Sequence, residues 1–148
     1  MLNLEGSHDT NRIRFLLKKI NNNNDAAAVQ RMKEWWLFAF TYAGAPTLYY
    51  GDEIGLTGGH DPECRRSFPW DEAQWDRDLL AHVKKLIALR QVYPALRRGS
   101  YHRLYADREV VAFGRWLDQD RLIVVLNTST ATKTIDIPVQ PIGLAEGV

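Results

Sequence analysis

Between Trp35 and Tyr42 the chain reads WWLFAFTY, a helical run that is apolar on nearly every face. Such a helix does not lie on a surface; it is buried between layers, with neighbours on more than one side. Gly44-Ala45-Pro46 closes it, and Thr47–Ile54 (TLYYGDEI) follows as an expected strand. That segment lacks clean alternation, which suits a strand in a parallel sheet covered on both faces. Helix, short turn and buried strand is the order of repeating βα units.

The flanking residues extend this pattern. Met1, Leu2 and Leu4 read as the tail of a buried strand, and Thr10–Ile20 as a helix carrying Ile13, Leu16, Leu17 and Ile20 on one face. Asp9 or Thr10 is the expected cap of that helix. After the polar Asn21–Asn24 loop, Asp25 is the expected cap of the next helix, whose stripe holds Val29, Met32, Trp36, Ala39, Phe40 and Ala43. Residues 55–70 form a loop too long for a structural connection. Asp71 and Gln74 suggest a capping box for a helix with Leu79, Leu80, Val83, Leu86 and Ile87, ended by Pro94. Beyond about residue 100 the period becomes alternating. Tyr101–Tyr105, Glu109–Leu117 and Arg121–Asn127 read as antiparallel strands, with Asp118-Gln119-Asp120 as a turn and Lys133–Val139 as a further strand. The reading is therefore α/β over residues 1–98 and all-β over residues 99–148.

Charge excludes some functions. A net charge of +1 from 19 basic and 18 acidic residues gives no electrostatic reason for a nucleic acid or an anionic membrane as partner. The apolar stretch around Trp35–Ala45 is too short to span a bilayer, and no secretion leader is expected at the start. One cysteine, Cys64, allows no internal disulfide. Most of the aromatic residues belong to core packing. Sugar stacking requires an exposed ring beside polar groups, and composition does not choose between the two.

Candidate chemistry gathers where strands end. Ser7-His8-Asp9 follows the opening strand, and in a parallel α/β barrel reactive groups sit at that end. The spacing fits two readings, a capping Asp beside a satisfied histidine or a carboxylate aimed into a barrel mouth. Neighbours on extended chain diverge, so His8 and Asp9 meet only if the chain bends. Asp52-Glu53 also ends a strand; Glu53 is expected as a buried, hydrogen-bonded structural carboxylate. Asp61 and Arg65, four apart in the long loop, fit either a surface ion pair or directional hydrogen bonds to a polyhydroxylated ligand. His60, Asp61 and Cys64 lack zinc-type spacing, so no metal site is expected. P-loop, dinucleotide and nucleophile-elbow motifs are absent, and Ser7 beside His8 is not a triad.

Three ordered blocks resemble the α-amylase superfamily of glycoside hydrolases, and within it the neopullulanase, cyclomaltodextrinase and maltogenic amylase subgroup. Asn3–Arg12 (NLEGSHDTNR) is similar to the superfamily's last catalytic block. Ala43–Leu56 (AGAPTLYYGDEIGL) looks like its eighth barrel strand, and Gly58–Trp70 (GGHDPECRRSFPW) like the loop that distinguishes the subgroup. The resemblance implies the end of a (β/α)8 barrel, from about strand 7 to helix 8, followed by part of an antiparallel β-sandwich domain. It implies that Asp9 is the third catalytic carboxylate, that His8 binds the same sugar, and that Asp61 and Arg65 bind a glucose unit further along the glycone side of an α-glucan. Asn3 and Arg12 match the block in structural roles.

The nucleophile and the acid/base of the family belong to earlier strands, so this polypeptide alone is expected to be inactive. Partners for Trp35–Phe40 and Leu48–Tyr50 would then be missing, and exposed apolar surface, self-association or dependence on a companion barrel segment is expected. No cofactor is expected in these residues; calcium, common in the superfamily, finds no oxygen cage here. Residence in the cytoplasm follows from the subgroup. Rival readings are a non-catalytic carbohydrate-binding module built on the C-terminal strands and a silent scaffold.

Overall fold

The structure, a computed structural model, describes residues 2–145. Strand β1 (Leu2–Leu4) runs parallel to β2 (Ala45–Thr47), with Leu2 opposite Ala45 and Leu4 opposite Thr47. Parallel neighbours need a long crossover, here supplied by helices α1 (Ile13–Ile20) and α2 (Asp25–Thr41). Helices α3 (Arg77–Val92) and α4 (Pro94–Arg98) follow, then an antiparallel sheet of β3 (Ser100–Ala106), β4 (Val110–Leu117) and β5 (Asp120–Asn127). The two parallel strands do not close a barrel.

Helix α2 is the centre of the packing. Met32, Trp36, Ala39 and Phe40 meet Ile13 of α1 and Leu79, Val83 and Leu86 of α3 in one core. Leu37 and Phe38 of the same helix, with Tyr42 just past its end, cover Phe113, Val124 and Leu126 of the sheet. A helix apolar all round therefore has layers on both sides, and each fully buried large side chain contributes about 1.5–3 kcal/mol. Arg115 of β4, fully buried, donates to Thr41 O at 2.6 Å, Gly99 O at 3.1 Å and Ser100 O at 3.2 Å, tying the sheet to the end of α2.

This corrects the expectation of exposed apolar surface at Trp35–Phe40. Trp36, Ala39 and Phe40 are buried and Trp35, Leu37 and Phe38 half-buried, whereas Tyr50 of the second run is exposed. Large apolar side chains are also exposed on β1, at Leu2 and Leu4, and at Ile20, Trp70 and Val92. Among the described residues no helix is long and apolar enough to cross a membrane.

Several boundaries move, for local reasons. Helix α1 begins at Ile13, because Ser7–Thr10 closes its own turn, with Ser7 N–H donating to Thr10 Oγ1 at 3.0 Å. Neither Asp9 nor Thr10 caps it. Asn24, not Asp25, caps α2 by accepting from Ala27 N–H at 3.1 Å, while Asp25 pairs with Arg14. Val29 is only half-buried, and Ala43 lies beyond the helix end. Asp71 caps a short 3-10 turn, Glu72–Gln74; Asp76 caps α3 by accepting from Leu79 N–H at 3.0 Å. On α3, Leu80 is half-buried and Ile87 exposed.

Strand β2 stops at Thr47 instead of Ile54. Gly51 adopts φ +86°, where a Cβ would meet Leu56 at 2.7 Å, and Asp52–Ile54 form a 3-10 turn that swings Asp52 inward. No strand forms over 133–139. Ile137, Ile142 and Leu144 instead lie on the face of the sheet against Leu104 and Ala112. A segment lying across a sheet face cannot join its hydrogen-bond ladder, and Pro138 has no N–H to offer one.

Candidate active site

Both parallel strands deliver their chains to the same end of the sheet, β1 into residues 5–12 and β2 into residues 48–66. The first loop bends sharply after Ser7. Asp9 N–H donates to Ser7 Oγ at 3.2 Å and Thr10 N–H to Ser7 O at 3.4 Å. This bend overcomes the divergence of neighbouring side chains on extended backbone: His8 Nε2 lies 3.2 Å from Asp9 Oδ2.

The second loop reaches over to the first. Arg65 Nη2 pairs with Asp9 Oδ1 at 3.3 Å, and Arg65 Nε lies 3.1 Å from Asp61 Oδ1 and donates to His8 O at 3.0 Å. Cys64 Sγ donates to the same carbonyl at 3.1 Å. His8, Asp9, Asp61 and Arg65 thus form one cluster, with side chains 65%, 67%, 59% and 49% exposed. A guanidinium between two carboxylates, with an imidazole alongside, offers donors and acceptors on one open face. None of these four residues lines either of two cavities. One, of about 500 Å³, is lined by Ile13, Leu17, Trp35, Phe38, Val111 and Leu126 among others. The other, of about 330 Å³, is lined by Arg14, Asp25, Arg66 and Gln74 among others.

Beneath this surface lies a second, buried arrangement. Arg12 and Asp52 are both fully buried and pair at 3.0 Å between Nη1 and Oδ1. Arg12 Nη1 also donates to Tyr50 O at 2.6 Å and Arg12 Nε to Cys64 O at 3.1 Å. Its guanidinium carbon sits 4.4 Å and 4.6 Å from the ring centres of Tyr49 and Tyr50. Arg12 Nη2, Asp52 Oδ2 and Asn11 Oδ1 are buried without a hydrogen-bond partner.

Burial pushes the Asp52 carboxyl up to about 6; the Arg12 hydrogen bond and charge hold it down, and Glu53 raises it further. Glu5 is pushed up to about 7, chiefly by burial, with Trp35 opposing and Asp52 adding. The expected buried carboxylate was Glu53; the structure buries Asp52 and leaves Glu53 half-exposed, because the 3-10 turn after Gly51 directs Asp52 toward Arg12.

Sequence reasoning placed Arg12 as structural but did not find its partner. Gly51 and Gly55, bracketing Asp52–Ile54, were the available signal, since both take a left-handed conformation and fold the segment into a single turn. Glu5, the residue just past β1, was also missed; two residues before it Asn3 Nδ2 donates to Ala39 O and Ala43 O at 3.3 Å, facing the helix layer. Among the described residues, no group of three or more His, Cys, Asp or Glu is gathered to hold a metal ion.

A family model described as alpha amylase, catalytic domain, matches residues 2–75. A cyclomaltodextrinase from Bacillus sp is 44% identical over 137 residues, covering 91% of this chain and 23% of that protein. Neopullulanase 2 from Thermoactinomyces vulgaris is 38% identical over 143 residues, covering 95% of this chain and 23% of that protein. The solved debranching enzyme from Nostoc punctiforme superposes with a TM-score of 0.81 at 39% identity, over 97% of this chain and 27% of that one. The chain spans about a quarter of the length of these relatives.

Proposed function

This chain belongs to the α-amylase family, and on that premise we propose that it forms one wall of an α-glucan hydrolase site. Residues 1–98 are assigned to the end of the catalytic (β/α)8 barrel, from about strand 7 to helix 8, and residues 99–148 to the start of an antiparallel β-sandwich domain. Asp9 grips hydroxyls of the sugar at the point of cleavage, and His8 bonds the same sugar. Asp61 and Arg65 hold the next glucose on the glycone side. Hydroxyl contacts that tighten as positive charge develops on the ring lower the barrier instead of merely binding substrate.

The observation that carries this reading is the Arg65 guanidinium. It bridges Asp9 and Asp61, from loops after two parallel strands, and so builds one polar face out of residues distant in sequence. The reading requires no cofactor from this chain.

Retaining hydrolysis also needs a nucleophile and an acid/base flanking the scissile bond. These are proposed to lie on other barrel strands of the whole protein, so the 148 residues alone turn over no glucan. The exposed Leu2 and Leu4 of β1 are proposed to be covered by further barrel strands, from a companion segment or a second copy. Cytoplasmic residence is proposed from the subgroup alone.

The test has two arms. Incubated with cyclodextrin, pullulan and starch, the purified chain should release no reducing sugar. In an NMR titration, maltotriose should perturb the resonances of Asp9, Asp61 and Arg65, and Asp61→Ala should abolish the perturbation. Turnover by the isolated chain, or maltotriose contacts elsewhere on its surface, would overturn the assignment.

A further inference from the structure

We propose that the buried Arg12–Asp52 pair is a positioning clamp that sets the Asp61–Arg65 loop against the His8–Asp9 turn. The inference deepens the functional reading above and rests on it for its saccharide arm only.

The clamp touches the loop along its length. At the near end, Arg12 N–H donates to Gly58 O at 3.0 Å. In the middle, Arg12 Nε holds Cys64 O. At the far end, the Tyr50 hydroxyl donates to Arg66 O at 2.8 Å, and Tyr50 is itself fixed by the Arg12 bond to its carbonyl and by the guanidinium beside its ring. From outside, Cys64 Sγ and Arg65 Nε both donate to His8 O. The Cys64 peptide therefore lies between a buried arginine on one side and the His8 carbonyl on the other. Whatever fixes Cys64 fixes the direction from which Arg65 approaches Asp9.

An apolar pair of similar size would fill the space at no desolvation cost, yet here an ion pair is buried with Arg12 Nη2 and Asp52 Oδ2 left unpartnered. What the arginine adds is directional: its planar fork reaches two carbonyls and a carboxylate at once, which an ammonium point charge cannot do. Asp52 holds the fork in register through Oδ1. Neither residue reaches the exposed cluster, so each is a positioning residue.

Cys64 is the sole cysteine and is fully buried, which makes its thiol a reporter of the clamp that needs no sugar. In the 148-residue chain, Arg12→Lys should raise the rate of Cys64 modification by an aromatic disulfide reagent at least about tenfold, through local opening of the loop. Far-UV dichroism and amide protection in β3–β5 should be unchanged. Maltotriose affinity should fall in the same variant.

Arg115→Lys is the control for general destabilisation: it weakens another buried arginine that donates to three carbonyls. It should leave the thiol rate at the wild-type value. Equal acceleration in both variants, or full thiol protection in Arg12→Lys, would overturn the clamp. Should Arg12→Lys not fold, native-state hydrogen exchange of the wild type decides. The Arg12, Arg65 and Arg66 amides should then open together, and loop amides exchanging about tenfold faster than Arg12 would reject the proposal. If wild-type chain binds no maltotriose, the saccharide assignment fails and the thiol rates alone judge the clamp.

Discussion

Two arginine–aspartate arrangements, linked through Cys64, whose carbonyl accepts from Arg12 and which precedes Arg65, differ almost entirely in depth. Arg12 and Asp52 are 0% exposed, whereas Arg65, Asp9 and Asp61 are half to two-thirds exposed. The partner groups are the same in both, and so are the separations, about 3 Å. Water decides what each can do. In the buried pair each ion has lost its hydration and depends on the other, so the geometry is fixed. In the exposed cluster, water competes for every contact, so a ligand hydroxyl can take over a hydrogen bond at little net cost. A fixed pair beneath an exchangeable one suits the proposed site, which must hold its shape and still accept a sugar.

The sharpest way to break this contrast is to remove one ion of the buried pair. Arg12→Ala should destabilise the chain by about 3–5 kcal/mol, because it strands a carboxylate in the interior. That is a large part of the total stability of a domain, about 5–15 kcal/mol. Replacing both partners together, Arg12→Met with Asp52→Leu, should cost far less, since no charge is left alone. Urea unfolding of the two variants measures the gap. A single variant within about 1 kcal/mol of wild type would mean that the buried pair is as dispensable as a surface one.

Acidity probes the same contrast with a smaller effect. A carboxyl whose pKa in the folded state lies above its ordinary value holds its proton more tightly folded than unfolded. The stability linked to that proton is present below the ordinary value and is lost as pH rises through the folded one. Asp52, raised from 3.8 to about 6, and Glu5, raised from 4.5 to about 7, act in the same direction. Stability should therefore fall as pH rises from about 4 to about 7, by roughly 1–3 kcal/mol for Asp52. Asp25, Asp78 and Asp107 have lowered values and opposite sign, so their stabilisation is lost only in more acid solution. Melting temperature measured across that range should decline, and Glu5→Gln should flatten its upper part. A rise between pH 5 and 7 would show that the buried carboxylates are ionised without penalty.

What could be read from the sequence was whatever periodicity governs. The all-round apolar face of α2 required layers on both sides, and both are present. Alternation placed β3, β4 and β5 within about two residues of their ends. Periodicity carries no information where one contact decides the backbone. TLYYGDEI looks like a continuous strand, but β2 stops at Thr47 and, after Gly51, Asp52–Ile54 form a 3-10 turn in which Asp52 pairs with Arg12. Residues 133–139 alternate like a strand yet lie on the sheet face, where Ile142 fills the space left by Gly114. The meeting of His8, Asp9, Asp61 and Arg65 was accessible only through resemblance to a family. Spacing alone left an ordinary surface ion pair equally open, since the bend at Ser7 depends on a side-chain bond to Thr10.

The exposed cluster gives the smallest effect on stability and completes the contrast. Arg65→Ala removes contacts to Asp9, Asp61 and the His8 carbonyl, yet all of these groups stay within reach of water. Its cost to folding should remain below about 1 kcal/mol. Asp61→Asn, which keeps shape and most hydrogen-bonding capacity while removing one charge, should cost less still. On the proposed assignment of the site, both should nevertheless weaken maltotriose binding, because the sugar would depend on groups that folding does not. Urea titration and a sugar titration on the same two variants check this, and a stability loss matching that of Arg12→Ala would show that the surface cluster holds the loop together.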